Sequence, residues 1–178
     1  RWQASVFWTN IDDMILRTPA GTSSESILFS RSNRDAEVNG VEFAAETRLS
    51  TSWTAYGNFS YIYGQDLELE EPLSRIPPTQ GVVGLRWRNS EKYEFIDIYS
   101  WLVAKQDRLN FQDISDGRIP DGGTPGYGTL SLRYGTELKE NHLLRIEFEN
   151  ILDKAYRVHG SGVDGAGFSA NIQYGFEF

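Results

Sequence analysis

The sequence has no cysteine among its 178 residues. That excludes disulfide staples and any thiolate zinc site. It suits a chain that passes through an oxidising periplasm, although a small cytosolic domain can also lack thiols. Long apolar runs are missing too: none approaches the ~18 residues that a membrane-crossing helix needs. Positive charge is scarce. Seventeen Lys and Arg face 25 Asp and Glu, giving a net charge of -8 and a pI near 4.8. No nucleic-acid partner is expected, because the basic footprint of such binders is absent. There is no Gly-rich phosphate loop. Histidine occurs only as His142 and His159, so a Ser–His–Asp arrangement would have to run through His159. No Ser-centred motif accompanies it, and neither catalysis nor a cofactor is expected. The chain opens on Arg1-Trp2 with no secretory leader, which reads as a mature or truncated segment.

What the sequence does have is a period of two. From Phe168 to Phe178 every even residue is apolar or small: Phe168, Ala170, Ile172, Tyr174, Phe176 and Phe178. Every odd one is polar or Gly. Such a run has the ~10-residue length of a tilted strand crossing a bilayer, longer than the five or six usual in soluble sheets. The pattern recurs over Trp2–Thr9, Val41–Leu49, Trp53–Tyr63, Val83–Arg88, Leu130–Tyr134 and Leu144–Asp153. In Tyr93–Ala104 two apolar phases compete, which predicts a strand with Asp97 inward and a possible bulge. A mean hydropathy of -0.45 fits, because lipid-facing and lumen-facing residues average out in a barrel. Trp, Tyr and Phe at 13% of the chain would furnish the interfacial girdles of such a barrel.

The connections alternate in length. Short polar turns fall at Ser50–Ser52, Asn89–Lys92 and Lys139–Asn141. Long ones fall at Arg17–Asp35, Asp66–Thr79, Gln106–Pro125 and Tyr156–Gly167. Short turns at one rim and long loops at the other are the periplasmic and extracellular ends of an outer-membrane barrel. All six prolines lie in the long connections, where a missing ladder donor does no harm. The expected fold is all-β: an antiparallel up-and-down transmembrane β-barrel segment of about eight strands.

Particular residues then carry a resemblance. Glu149-Asn150-Ile151-Leu152-Asp153-Lys154-Ala155-Tyr156-Arg157 resembles the N-hydrophobic-hydrophobic-D-x-x-Y signature on the penultimate strand of TonB-dependent receptors, through Asn150, Asp153 and Tyr156. Asn39-Gly40-Val41-Glu42 resembles the x-G-x-E start of an earlier strand. Arg75-Ile76-Pro77-Pro78 and Gly123-Thr124-Pro125-Gly126-Tyr127 sit where such receptors often lead into strands. The terminal Phe178 matches the closing aromatic that the barrel-assembly machinery is thought to read. The resemblance implies a plugged 22-stranded barrel of which residues 1–178 are the C-terminal segment, with the plug domain and earlier strands outside this chain. It implies an outer-membrane setting among lipid and lipopolysaccharide, energy from the TonB complex through an N-terminal part, and uptake of a scarce nutrient. An iron chelate (siderophore) or haem is the default; cobalamin, nickel chelates and oligosaccharides stay open. Cut from its barrel, the segment would have two open edges and is expected to self-associate.

Ligand contacts are expected from the extracellular loops: His159 foremost, with Tyr156 and Arg157 beside it, and Arg108 and Arg118 for an anionic chelate. His159 can equally be a loop residue packed on its glycines, and His142 belongs to a turn. Asp107, Asp113, Asp116 and Asp121 lie at spacings that can hold Ca²⁺, but no bidentate Glu closes the loop, and a solvated acidic loop is the better expectation. Arg108 and Arg118 can pair with those carboxylates instead. Glu42, Glu46, Arg48, Arg86, Arg88, Arg133, Arg145, Glu147 and Glu149 are expected to face a wet, salt-bridged lumen. Two alternatives are a small self-contained eight-stranded barrel with a structural or adhesion role, and a soluble β-sandwich. The second requires Trp2, Trp8, Tyr61, Trp87 and Phe176 to be core residues.

Overall fold

The computed structural model describes residues 1–22 and 27–176. Nine antiparallel strands form one sheet: β1 (Trp2–Thr22), β2 (Ile27–Arg48), β3 (Trp53–Asp66), β4 (Glu71–Pro72), β5 (Gln80–Arg88), β6 (Glu94–Val103), β7 (Tyr127–Lys139), β8 (His142–Glu149) and β9 (Ser169–Phe176). Each long strand pairs with its sequence neighbours, and the two-residue β4 adds only to β3. The sheet is not closed: among the described residues β1 and β9 remain its two edges. One helical turn, α1 (Phe111–Ile114), sits in the β6–β7 connection. Among the described residues no helix is long and apolar enough to cross a membrane.

Burial is inverted relative to a water-soluble protein. Trp2, Val6, Trp8 and Ile172 are 73%, 77%, 68% and 75% exposed, whereas Asp97 is fully buried. Tyr61 and Phe176 are exposed and Trp87 is half-buried. None of these is the core residue that a soluble sandwich requires. The pleat explains the pattern, because alternate residues point to opposite faces. Cross-strand register lines up Ala55, Leu85, Ile98, Leu132, Phe148 and Ala170 on one face. The next row, Thr54, Arg86, Asp97, Arg133, Glu147 and Asn171, lines up on the other. An apolar face toward lipid and a polar face toward a lumen is the alternation of an outer-membrane barrel.

The β6 ladder runs without a register shift on either side. The possible bulge is therefore absent, and Asp97 is inward as expected. Short turns close one rim. Lys139 pairs with His142 across a two-residue turn in which Asn141 adopts φ 65°, a conformation Asn tolerates well. Ser50 Oγ accepts from the Ser52 and Trp53 amides in the β2–β3 turn.

Three expectations are corrected. Arg17–Asp35 is not a long loop: the β1–β2 ladder continues through Arg17–Arg31 and Pro19–Phe29, leaving only residues 23–26 outside the description. Prolines are not confined to connections, since Pro19 lies in β1 and Pro72 in β4. Pro19 is tolerated on an edge strand beside a register shift. Finally, β8 ends at Glu149, not Asp153; Asn150 and Asp153 take φ 48° and 49° and turn the chain out of the sheet. β1 and β2 are roughly twice the ~10 residues needed to cross a bilayer, so their outer halves project beyond it on the long-loop side.

Candidate functional site

The lumen face carries an ordered ion-pair row. Asp97 on β6 accepts from Arg86 Nε at 3.1 Å and Nη2 at 2.6 Å, and from the Tyr56 hydroxyl at 2.8 Å. One strand further on, Glu147 pairs with Arg133 and accepts from the Tyr99 hydroxyl at 3.0 Å. Signs alternate across four neighbouring strands because directly opposed side chains are close enough to interact. Sequence alternation placed Arg86, Arg133 and Glu147 inward. It overlooked Tyr56, whose even position between Thr54 and Asn58 was the available signal.

Above this row the signature residues build the β8–β9 connection. Asn150 is buried; its amide donates to Lys154 O at 2.9 Å and Ala166 O at 3.0 Å, and its oxygen accepts from Lys154 N at 2.9 Å. Asp153 accepts from Phe168 N at 2.9 Å, joining the exit of β8 to the start of β9. Tyr156 stacks on Tyr127 with centroids 4.5 Å apart, and Trp101 meets both rings edge-on. A Cβ at Gly165 would enter the Tyr156 ring. The signature is thus a folding device, and its Tyr belongs to an aromatic cluster on the inner wall.

The long loops interlock through charge. Asp113, 1% exposed, accepts from Ser74 Oγ at 2.6 Å and from Arg75 N at 3.2 Å, while Asn110 caps α1 by accepting from Asp113 N. Arg75 and Arg118 both pair with Asp116, at 2.9 and 2.6 Å. The solvated acidic loop expected here is therefore corrected at Asp113 and Asp116, which are covered by the β3–β5 connection. Among the described residues no group of His, Cys, Asp and Glu is placed to hold a metal.

His159 joins the third loop to this cluster. Its Nδ1 lies 2.8 Å from Thr124 Oγ1, and its Nε2 is buried without a hydrogen-bond partner among the described residues. Burial is the main cause that holds the imidazole below its ordinary pKa; Asp113 opposes that effect and Arg75 adds to it. The ring is neutral at neutral pH. Gly160 and Gly162 lie against the Arg75 and Arg118 side chains.

The other predicted contacts are dispersed. Arg157 pairs locally with Asp164 at 2.7 Å. Arg108 stacks over Tyr63 with its guanidinium 4.0 Å from the ring centroid, and donates to Gln65 at 2.8 Å. Only His159 and Arg118 share one cluster. His142 contacts Tyr174 at the short-turn rim. Phe178 lies outside the described residues.

Solved structures share this fold. The copper transporter OprC superposes with a TM-score of 0.87 at 21% identity, covering 99% of this chain and 28% of its own. The FrpB iron transporter from Neisseria meningitidis gives 0.72 at 18%, covering 99% and 28%. The ferric yersiniabactin uptake receptor FyuA from Yersinia pestis gives 0.61 at 19%, covering 97% and 25%. The chain spans about a quarter of the length of these structures, and likeness at such identity establishes the fold. Comparison with curated proteins gives no match. The family described as "TonB dependent receptor-like, beta-barrel" matches residues 1–151. With that match over most of its length, the chain belongs to the TonB-dependent receptor β-barrel family of the outer membrane.

Proposed function

We propose that residues 1–178 are the C-terminal barrel segment of a receptor that imports a scarce nutrient, most readily an iron chelate (siderophore) or haem. The family match over residues 1–151 carries this reading. The two open edges support it, since unpaired strand edges are not tolerated in hydrocarbon and call for further strands. They weigh against a self-contained eight-stranded barrel. The rest of the barrel, the plug domain and the segment that engages the TonB complex lie outside this chain on this reading. On this reading the apolar face meets lipid and lipopolysaccharide.

Neighbours are named for copper, iron and ferric yersiniabactin transport. With no Cys and one Met, this segment offers none of the soft thiolate and little of the thioether chemistry that selects copper. Hydroxyl, imidazole and guanidinium groups suit an oxygen-rich, anionic chelate instead. His159, Tyr156, Arg157, Arg108 and Arg118 are the proposed contacts, with Arg157 and Arg118 exchanging their local carboxylates for the ligand.

The test is uptake of labelled ferric chelates, haem and copper by cells that carry the full-length receptor as their sole transporter of this class. Uptake of one iron ligand that disappears when TonB is deleted is the expected result. Uptake of copper alone would overturn the substrate assignment, and TonB-independent uptake would overturn the transport assignment.

A further inference from the structure

The short-turn half of the lumen wall is cationic within an acidic chain. Arg86 and Arg133 are satisfied by Asp97 and Glu147, and Lys92 by Glu94. One row below, Arg88, Phe95, Gly135, Arg145 and Gln173 stand in direct cross-strand register from β5 to β9. Among the described residues, Arg88 and Arg145 have no ion-pair or side-chain hydrogen-bond partner. Both line an open cleft of about 670 Å³ that the ion-pair row bounds above. Phe95 lies over Gly135 between them, so three strand spacings, roughly 14 Å, separate the two arginine backbones. Arg48, on the same face of β2, likewise has no side-chain partner among the described residues.

An aqueous lumen would keep these guanidinium groups hydrated at no cost. A lumen filled by protein would not, because a desolvated cation without a partner is strongly unfavourable. The carboxylates that line the cleft among the described residues, Glu94, Asp97 and Glu147, are already engaged, so acceptors for Arg88 and Arg145 must come from the occupant.

We infer that the Arg88–Phe95–Arg145 row is the seat of a plug-domain segment presenting two carboxylates, with an apolar side chain between them resting on Phe95. The inference depends on the receptor reading above for the existence of a plug. It adds the polarity of the contact and the residues that make it: cations on the wall, Asp or Glu on the plug.

The test uses the full-length receptor without substrate, with a benzoylphenylalanine photo-cross-linker replacing Phe95. The expected product joins position 95 to a plug peptide that carries Asp or Glu next to the attachment point. Arg88→Glu with Arg145→Glu should abolish that product, and Arg88→Lys with Arg145→Lys should retain it. If the Glu pair fails to assemble a heat-modifiable barrel, the Gln pair replaces it, with loss of the product again expected. A cross-linked plug peptide without carboxylates, or a product unchanged in the Glu pair, overturns the inference. So does an unchanged product with slowed uptake, which would assign the arginines to an anionic substrate. A full-length protein whose intact mass leaves no room for a plug defeats the receptor reading itself, before any cross-linking.

Discussion

Replacing Asp97 with Ala tests whether the ion-pair row is a structural spine. Asp97 is fully buried, whereas the Arg86 side chain keeps 28% of its exposure. The substitution removes the two Arg86 contacts and the Tyr56 contact together, and leaves a cation in a low-dielectric wall. Removing one partner of a buried pair costs about 3–5 kcal/mol. Arg86 can reach water in part, so the lower end, about 3 kcal/mol, is expected here. Asp97→Asn keeps an acceptor for one donor and should cost less, about 1.5–3 kcal/mol, the range of a hydrogen bond to a charged group. Pairing Asp97→Ala with Arg86→Leu removes the stranded cation, so the double variant should be less destabilised than the sum of the singles by 0.5 kcal/mol or more. The assay is urea unfolding of the full-length receptor in detergent, followed by the shift of the heat-modifiable band. A loss below about 0.5 kcal/mol for Asp97→Ala, the range of an ordinary surface change, would refute the argument.

Ile98→Arg on the lipid face should cost about 2–4 kcal/mol and depress assembly, while Thr54→Arg on the lumen face should assemble normally; equal yields would overturn the face assignment. Asn150→Ala strands three backbone groups of the β8–β9 connection and should cost about 1–3 kcal/mol. Trypsin cleavage at Lys154 and Arg157 on intact cells should rise, and unchanged protection would mean that the signature does not hold the loop. The His159 imidazole has its pKa lowered by folding, so the unfolded state binds the proton more readily and stability rises with pH. Loop packing should be complete above pH ~6.5 and weaken as pH falls below that value toward the depressed folded pKa. Amide exchange at Gly160 and Ser161, compared at pH 7.5 and 5.5, should quicken in the acid sample for the native receptor and not for His159→Gln. Equal acid sensitivity in both would assign it to other groups.

The membrane-spanning strands were legible because hydrocarbon enforces alternation on every residue that touches it. Trp2–Trp8, Leu144–Phe148 and Phe168–Phe176 show it because one face meets lipid. Outside the bilayer that demand ends. Met14–Pro19 and Leu28–Arg34 stay paired with both faces polar or mixed, so a period-two criterion took them for a loop. The same limit explains the end of β8. Leu152 and Asp153 continue the alternation in phase, but Asn150 bonds its own turn and lifts them off the ladder. Side-chain chemistry decided there, and periodicity could not register it.

The loop cluster was illegible for a different reason. Ser74, Arg75, Asp113, Thr124 and His159 come from three connections separated by up to 85 positions, so no local spacing announces them. Each has the composition of a solvated loop. What converts Asp113 from a solvated carboxylate to a buried one is the arrival of Ser74 Oγ and the Arg75 amide, donors brought there only once β5 and β6 are neighbours. An unsatisfied buried carboxylate would be costly, so these contacts and the sheet order depend on each other. His159 is the least satisfied member, with one nitrogen on Thr124 and the other without a partner. A ligand that offers an acceptor to Nε2 can engage it once the β8–β9 loop shifts, whereas Asp113 could not be reached without breaking the joint between the other two loops. That difference supports the proposal of His159, rather than the aspartates, as the ligand contact of this cluster.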